Sequence, residues 1–139
     1  MKNIFALIIL FFAGSSHAQT IIGQWETYDD KTKEKKAIVD IYKENDMYFG
    51  KIIKTFIGPK NALCLKCEGS KKDEPMIGLV IMEDIKKNGD EFEDGTILDP
   101  ETGDVYKCNL KLINKNKLEV RGFIGISIIG RTQIWKRKT

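Results

Sequence analysis

Histidine is almost missing from this 139-residue chain: His17 is the single copy. Serine is scarce as well, with Ser15, Ser16, Ser70 and Ser127 the complete set, and there are three cysteines, three prolines and two tryptophans. Internal repeats and low-complexity tracts are absent. The charge balance is close to even, at +3, so neither a disordered acidic tail nor a strongly basic one is expected. The length suits one ordinary domain and is too short for a two-domain enzyme.

The N-terminus makes the histidine shortage sharper. Lys2 precedes a ten-residue apolar run, Ile4 to Ala13, and the small residues Ser16 and Ala18 follow it. This is the pattern of a secretory leader, with cleavage expected after Ala18. The run is too short for a membrane span, which needs roughly 20 apolar residues. No second apolar run is long enough to span, and no cysteine follows the expected cleavage point to take a lipid. Residues 19–139 then form one domain with 22 basic and 20 acidic residues, a net of +2. Export would place it in the periplasm or outside the cell as a soluble protein. His17 would leave with the leader. Without imidazole, Ser-His-Asp and Cys-His nucleophiles, His-based zinc sites and His-ligated haem or copper are all excluded. What remains is carboxylate pairs, lysine chemistry and cysteine redox.

The rest reads as short strands divided by turns. Residues 21–28, 37–42, 47–57, 77–82, 91–98, 104–113, 117–124 and 131–137 are rich in β-branched and aromatic residues or alternate in polarity. Asp99-Pro100-Glu101-Thr102-Gly103 is a strong turn signal. Eight strands at this spacing predict an all-β fold, and no window shows a helical period. Helical turns are conceivable only at 61–66 and 84–88. Residues 58–75 form a polar connection much longer than the usual ~4–6 residues, long enough for a lid, a binding loop or a loose excursion.

Gly23-x-Trp25 opens the first strand, and Arg131, Gln133, Trp135 and Arg137 share one face of the last. In an up-and-down barrel those two strands become neighbours, so that Arg137 can stack on Trp25 across the floor while Gly23 permits close approach. This combination resembles the calycin superfamily of lipocalins, fatty-acid-binding proteins and avidin-like barrels. The resemblance implies an up-and-down antiparallel β-barrel of about eight strands, with Gly23, Trp25 and Arg137 as structural floor residues.

A second resemblance covers residues 21 to 137. Tyr48-x-Gly50-Lys51-Ile52, Cys64-x-x-Cys67-x-Gly69, Pro75-x-Ile77-Gly78, Gly95-x-Ile97-Leu98-Asp99-Pro100 with Gly103 and Tyr106, Arg121-Gly122-Phe123-Ile124-Gly125 and Gly130-Arg131-Thr132-Gln133-x-Trp135 run in order. They are similar to a bacterial family of small secreted proteins, domain of unknown function 2147 (DUF2147). Phe92 stands where that family is expected to carry a larger aromatic, usually Trp. The resemblance implies a lipocalin-like barrel and secretion, and no activity.

In an oxidising compartment three cysteines give one disulfide and one thiol. A loop bridge is expected, preferably Cys64–Cys67; pairing of either with Cys108 would close a longer loop and stabilise more. A redox C-x-x-C usually opens a helix after a strand, whereas this one runs into Glu68-Gly69-Ser70, so structural pairing is preferred. A zinc site on three cysteines and a carboxylate is less favoured, since there is only one C-x-x-C. The carboxylates Glu91, Glu93, Asp94, Asp99, Glu101 and Asp104 read as a solvated rim, and 99–104 does not reproduce an EF-hand loop. Scattered lysines without interleaved aromatics do not suggest nucleic-acid binding.

Residues 123–130 (FIGISIIG) are apolar where a polar hairpin turn is expected. They could plug the barrel or present an apolar patch. Arg121 and Arg131 flank them, and an inward guanidinium would need a core carboxylate or the anionic head of a bound ligand. Arg121, Arg131, Tyr48 and Tyr106 are therefore the candidate ligand contacts. The leading expectation is a non-enzymatic barrel, without cofactor or metal, for a small apolar or amphipathic molecule. The alternatives are a filled barrel that serves as a structural or partner-binding envelope module, and a C-x-x-C redox protein.

Overall fold

A computed structural model describes residues 20–125 and 129–139. The expected leader and the centre of the apolar tip, 126–128, lie outside the described residues. Eight antiparallel strands follow in order: β1 (Gly23–Tyr28), β2 (Lys35–Glu44), β3 (Met47–Thr55), β4 (Val80–Asn88), β5 (Glu91–Leu98), β6 (Val105–Asn114), β7 (Lys117–Phe123) and β8 (Gly130–Arg137). Each pairs with the next and β8 returns to β1, so the sheet closes as a barrel. The expected all-β, up-and-down architecture is the observed one.

Alternation makes the wall two-sided. Val39 and Ile41 of β2, Tyr48 and Ile52 of β3, Cys108 and Leu110 of β6, and Leu118 and Val120 of β7 are buried, while most of their neighbours in sequence are half-buried or exposed. One expected boundary is displaced. Residues 84–88, a conceivable helical turn, belong to β4, where pairing with β5 at Lys86↔Glu93, Lys87↔Phe92 and Asn88↔Glu91 overrides the local preference. Asp84 and Asp94 there adopt positive φ, of 56° and 64°, which local irregularity in the ladder imposes. Residues 61–66 form turns and an isolated Leu63↔Pro75 bridge, with no helix among them.

The seam is the narrowest part of the cylinder. β1 registers with β8 at Trp25↔Arg137 and Glu26↔Lys136, whereas β7 and β8 run in register from Lys117↔Lys136 to Phe123↔Gly130. Arg137 reinforces the short seam. Its guanidinium lies 4.3 Å from the centre of the Trp25 ring. Nε donates to the Lys115 carbonyl at 2.6 Å, Nη1 to Ile22 at 2.9 Å and Nη2 to Thr20 at 2.7 Å. The fork thus joins the N-terminal segment, the β6–β7 turn and the last strand. Trp25 Nε1 donates to the Ile21 carbonyl at 2.9 Å, so the buried indole has its polar atom satisfied. Gly23 sits at φ 134°, and a Cβ there would stand 2.8 Å from Arg137 Nη1. Any other residue would be strained and would push the fork away.

Arg137→Ala should therefore cost about 2–3 kcal/mol, a fall in melting midpoint of roughly 6–15 °C. Arg137→Lys should recover only part of it, because a lysine cannot reproduce the three-way fork. Thermal melts followed by circular dichroism decide this; an unchanged midpoint would show that the seam closes without the guanidinium.

Candidate functional site

The turns at 45–46, 89–90 and 115–116 lie at the Trp25 end, and the segments at 29–34, 56–79 and 99–104, with Ile124, Gly125 and Ile129, lie at the other. The two ends differ inside. Near the floor, large side chains fill the barrel: Trp25, Tyr48 and Phe92, with Tyr48 and Phe92 meeting edge to face at 5.1 Å. Towards the opposite end a cavity of about 530 Å³ opens. Ala37, Val39, Ile52, Ile81, Ile97 and Val120 supply much of its wall, and Trp135 its depth. Gly122 leaves one face bare: a Cβ there would meet Ile97 and Tyr106 only at ordinary contact distances, 3.5 and 3.6 Å.

The 56–79 connection forms part of the wall through Ile57, Ala62 and Met76. It has little regular structure, so its position depends on tertiary bonds. Cys64 N donates to Glu74 O at 2.7 Å, Met76 N to Ala62 O at 2.9 Å and Gly78 N to Ile52 O at 2.6 Å. Cys64 and Cys67 form the disulfide, the local pairing preferred from the sequence, and both are buried. Gly103 of the 99–104 turn abuts the Lys66 backbone at φ 79°, where a Cβ could not be accommodated.

Polar groups gather at the mouth. Arg131 Nη1 lies 2.9 Å from Asp30 Oδ2, Gln133 Nε2 donates to Asp30 Oδ1 at 3.1 Å, and Trp135 Nε1 donates to Gln133 Oε1 at 3.1 Å. A relay of three β8 side chains therefore ends on one carboxylate from the β1–β2 turn. That turn is shaped by Asp29, whose Oδ1 accepts from Lys31 N and Thr32 N at 2.9 and 2.8 Å; these bonds hold its carboxyl below the usual range. A second ion pair, Lys36 to Glu101 at 2.7 Å, ties the start of β2 to the β5–β6 turn, and both residues line the cavity. Tyr106 also faces it. Burial, and next the charges of Asp104 and Asp99, raise its hydroxyl pKa, so it remains a neutral donor.

The structure brings together two of the four candidate contacts. Arg131 and Tyr106 line the cavity; Arg121 and Tyr48 do not. Arg121 lies between the inward Val120 and Gly122, and so faces out, where its Nη1 donates to Thr132 Oγ1 at 2.9 Å. Tyr48 belongs to the packed half. Three polar residues of the mouth escaped the sequence reading: Asp30, Lys36 and Gln133. Gln133 was legible, since it alternates with Arg131 and Trp135. Asp30 and Lys36 sit in a polar turn whose charges look alike until the barrel closes. Among the described residues no group of three His, Cys, Asp or Glu side chains gathers as a metal site.

Cys108 is the free thiol, buried on β6, and burial pushes its pKa up to about 12 from an ordinary 9.0. Below pH 9 the thiol is protonated in folded and unfolded chains alike, so its contribution is fully present. Between 9 and 12 only the unfolded chain releases the proton, and stability should fall by about 1.4 kcal/mol per pH unit from this group. Denaturant titrations across that range should show the slope, and Cys108→Ala should flatten it. Alkylation of native protein should leave Cys108 unmodified; rapid labelling would contradict its burial.

Comparison with known proteins agrees with this geometry. The family model described as "Uncharacterized protein conserved in bacteria (DUF2147)" matches residues 23–137. No curated protein matches the chain. Among solved structures the barrel is similar to one titled "Protein HP1028 from the human pathogen Helicobacter pylori belongs to the lipocalin family", with a TM-score of 0.78 at 17% sequence identity, over 88% of this chain and 85% of that one. At such low identity the likeness concerns the fold. The family match spans the barrel from Gly23 of the floor to Arg137 of the seam, and the chain belongs to the DUF2147 family, built on a lipocalin-like closed barrel.

Proposed function

We propose that this barrel is an exported carrier for a small amphipathic molecule, with its apolar body in the cavity and an anionic head, such as a carboxylate, at Arg131. The observation that carries the reading is the cavity. Its volume falls in the usual range for small-molecule sites, roughly 300–1,000 Å³, and its walls are largely apolar with a few convergent polar groups at one end. The filled-barrel alternative describes only the Trp25 half. The buried Cys64–Cys67 bridge supports export to an oxidising compartment, and its burial argues against thiol exchange, which needs an accessible sulfur.

Asp30 stands in for the ligand head. Its carboxylate already occupies the donors of Arg131 and Gln133. The Arg131 side chain is 65% exposed and that of Asp30 36%. Exposed ion pairs of this kind contribute about 0–1 kcal/mol, so exchanging one carboxylate for another costs little. The head group would then fix orientation, and burial of the apolar body would supply most of the affinity.

Displacement of a fluorescent fatty acid, 11-(dansylamino)undecanoic acid, tests this. Wild-type protein should bind it in the micromolar range or tighter. Gly122→Leu, which fills the bare face of the cavity at an unstrained position, should weaken binding by at least about tenfold with the melting midpoint preserved. Arg131→Gln should weaken the acid by roughly three- to tenfold and leave the matching alcohol unaffected, while Asp30→Asn should tighten the acid by removing its competitor. Binding unaltered by Gly122→Leu, or no binding at all, would remove the proposal.

A further inference from the structure

Nearly every polar side chain that faces the cavity already has a partner. Arg131 and Gln133 meet Asp30, Trp135 donates to Gln133, and Lys36 meets Glu101. Tyr28 donates to Glu26 at 3.0 Å and Tyr106 to Asp104 at 3.4 Å. Thr27 is different. It alternates with Gly23 and Trp25 on β1, lines the cavity and is only 7% exposed, yet its hydroxyl makes no hydrogen bond among the described residues. No buried polar side-chain atom among those residues is sealed from open space without a partner. The Thr27 hydroxyl therefore borders open space, and at that burial the space is the cavity. Thr55, the other cavity hydroxyl without a bond, is only half-buried and ends β3 beside the mouth.

The cost of this arrangement indicates its use. Threonine and valine share one shape, and a buried hydroxyl without a partner is destabilising where valine would be neutral. Water is a poor remedy. An ordered water needs about two to four polar partners, and Thr27 offers one. Ala37 lies opposite it on β2. One step beyond the Glu26↔Lys136 pair stands Trp135, whose Nε1 is committed to Gln133. Val39 and Val120 continue the wall in apolar residues. An oxygen carried on an apolar body that fills the cavity would supply the missing bond. Its distance from the head group is bounded by the chain: Asp30, which holds Arg131, lies three residues beyond Thr27. That spacing puts the two polar points roughly 10 Å apart, which about eight to ten bonds of an extended alkyl chain bridge.

We infer that the cargo is an acid with a second oxygen about eight to ten carbons from its head, and that Thr27 selects it by a hydrogen bond to that oxygen. The inference rests on the carrier reading and adds a specificity to it. A plain alkyl acid leaves Thr27 unpaired, and an oxygenated one does not. A site built to pair a ligand hydroxyl discriminates against the analogue that lacks it.

The test is displacement of 11-(dansylamino)undecanoic acid by octanoic, decanoic and dodecanoic acids and by their ω-hydroxy counterparts. With wild-type protein at least one hydroxy acid should bind as tightly as its plain partner or tighter. Thr27→Val should weaken that hydroxy acid by at least about tenfold relative to the plain one, and Thr27→Ser should keep the wild-type ratio. The melting midpoint of ligand-free Thr27→Val should hold or rise, since the variant loses an unpaired hydroxyl. A fall in that midpoint, a wild-type preference for every plain acid, or a ratio untouched by Thr27→Val would overturn the inference. The carrier reading survives those results as long as plain acids bind and respond to Gly122→Leu. If no acid of either kind displaces the probe, both fall together.

Discussion

One guanidinium holds the cylinder shut. A barrel has no edges only if its last strand finds its first, and here β1 is short and meets β8 in register at just two positions. Such a seam would fray if backbone pairing were its sole support. Arg137 supplements it with a stacked indole and three carbonyls drawn from two separate segments, the N-terminal stretch and the β6–β7 turn. The geometry constrains its neighbours in turn. Gly23 has no side chain because the fork occupies that space, and Trp25 has to lie flat across the floor for the fork to stack on it. A chain that must place tryptophan at one end cannot also be hollow there, so the direction of the cavity follows from how the seam is closed.

That polarity organises the interior. Aromatic volume is concentrated near the floor, where Tyr48 and Phe92 pack against each other. Ala37, Val39, Val120 and Gly122 occupy the inward positions nearer the mouth, and none of them reaches across. Space therefore remains where the wall is apolar, a setting that favours an apolar occupant over ordered water. The polar groups stay at the rim, where solvent lowers the cost of each charge and where Arg131 and Lys36 are already matched by Asp30 and Glu101.

How much of this was legible in the sequence depended on distance along the chain. Period-two alternation is local, so strands such as β6 and β7 could be read directly. The Gly23-x-Trp25 and Arg137 pairing was readable despite a separation of over 100 residues, because closure makes terminal strands neighbours. Arg121 and Arg131 looked equivalent as flanks of an apolar tip. Parity separates them: Arg121 alternates out of phase with Val120, and Arg131 alternates in phase with Gln133 and Trp135. The cavity was not legible, since its volume depends on what faces what across the barrel. The pairing of Arg131 with Asp30 likewise joins residues at opposite ends of the chain and exists only once β8 lies beside β1.

The disulfide illustrates a different economy. Bridging Cys64 to Cys67 closes a ring so small that the chain-entropy gain is about 2 kcal/mol, against roughly 4 for a bridge from the same loop to Cys108. Global stability is therefore a poor explanation for the local choice. The bridge instead cross-links one turn of a segment with no strand of its own, the segment that carries Ala62 and Met76 of the cavity wall and Leu63 and Leu65 of the exposed rim. The local bridge leaves Cys108 as a thiol, buried and protonated, a packing residue of the wall.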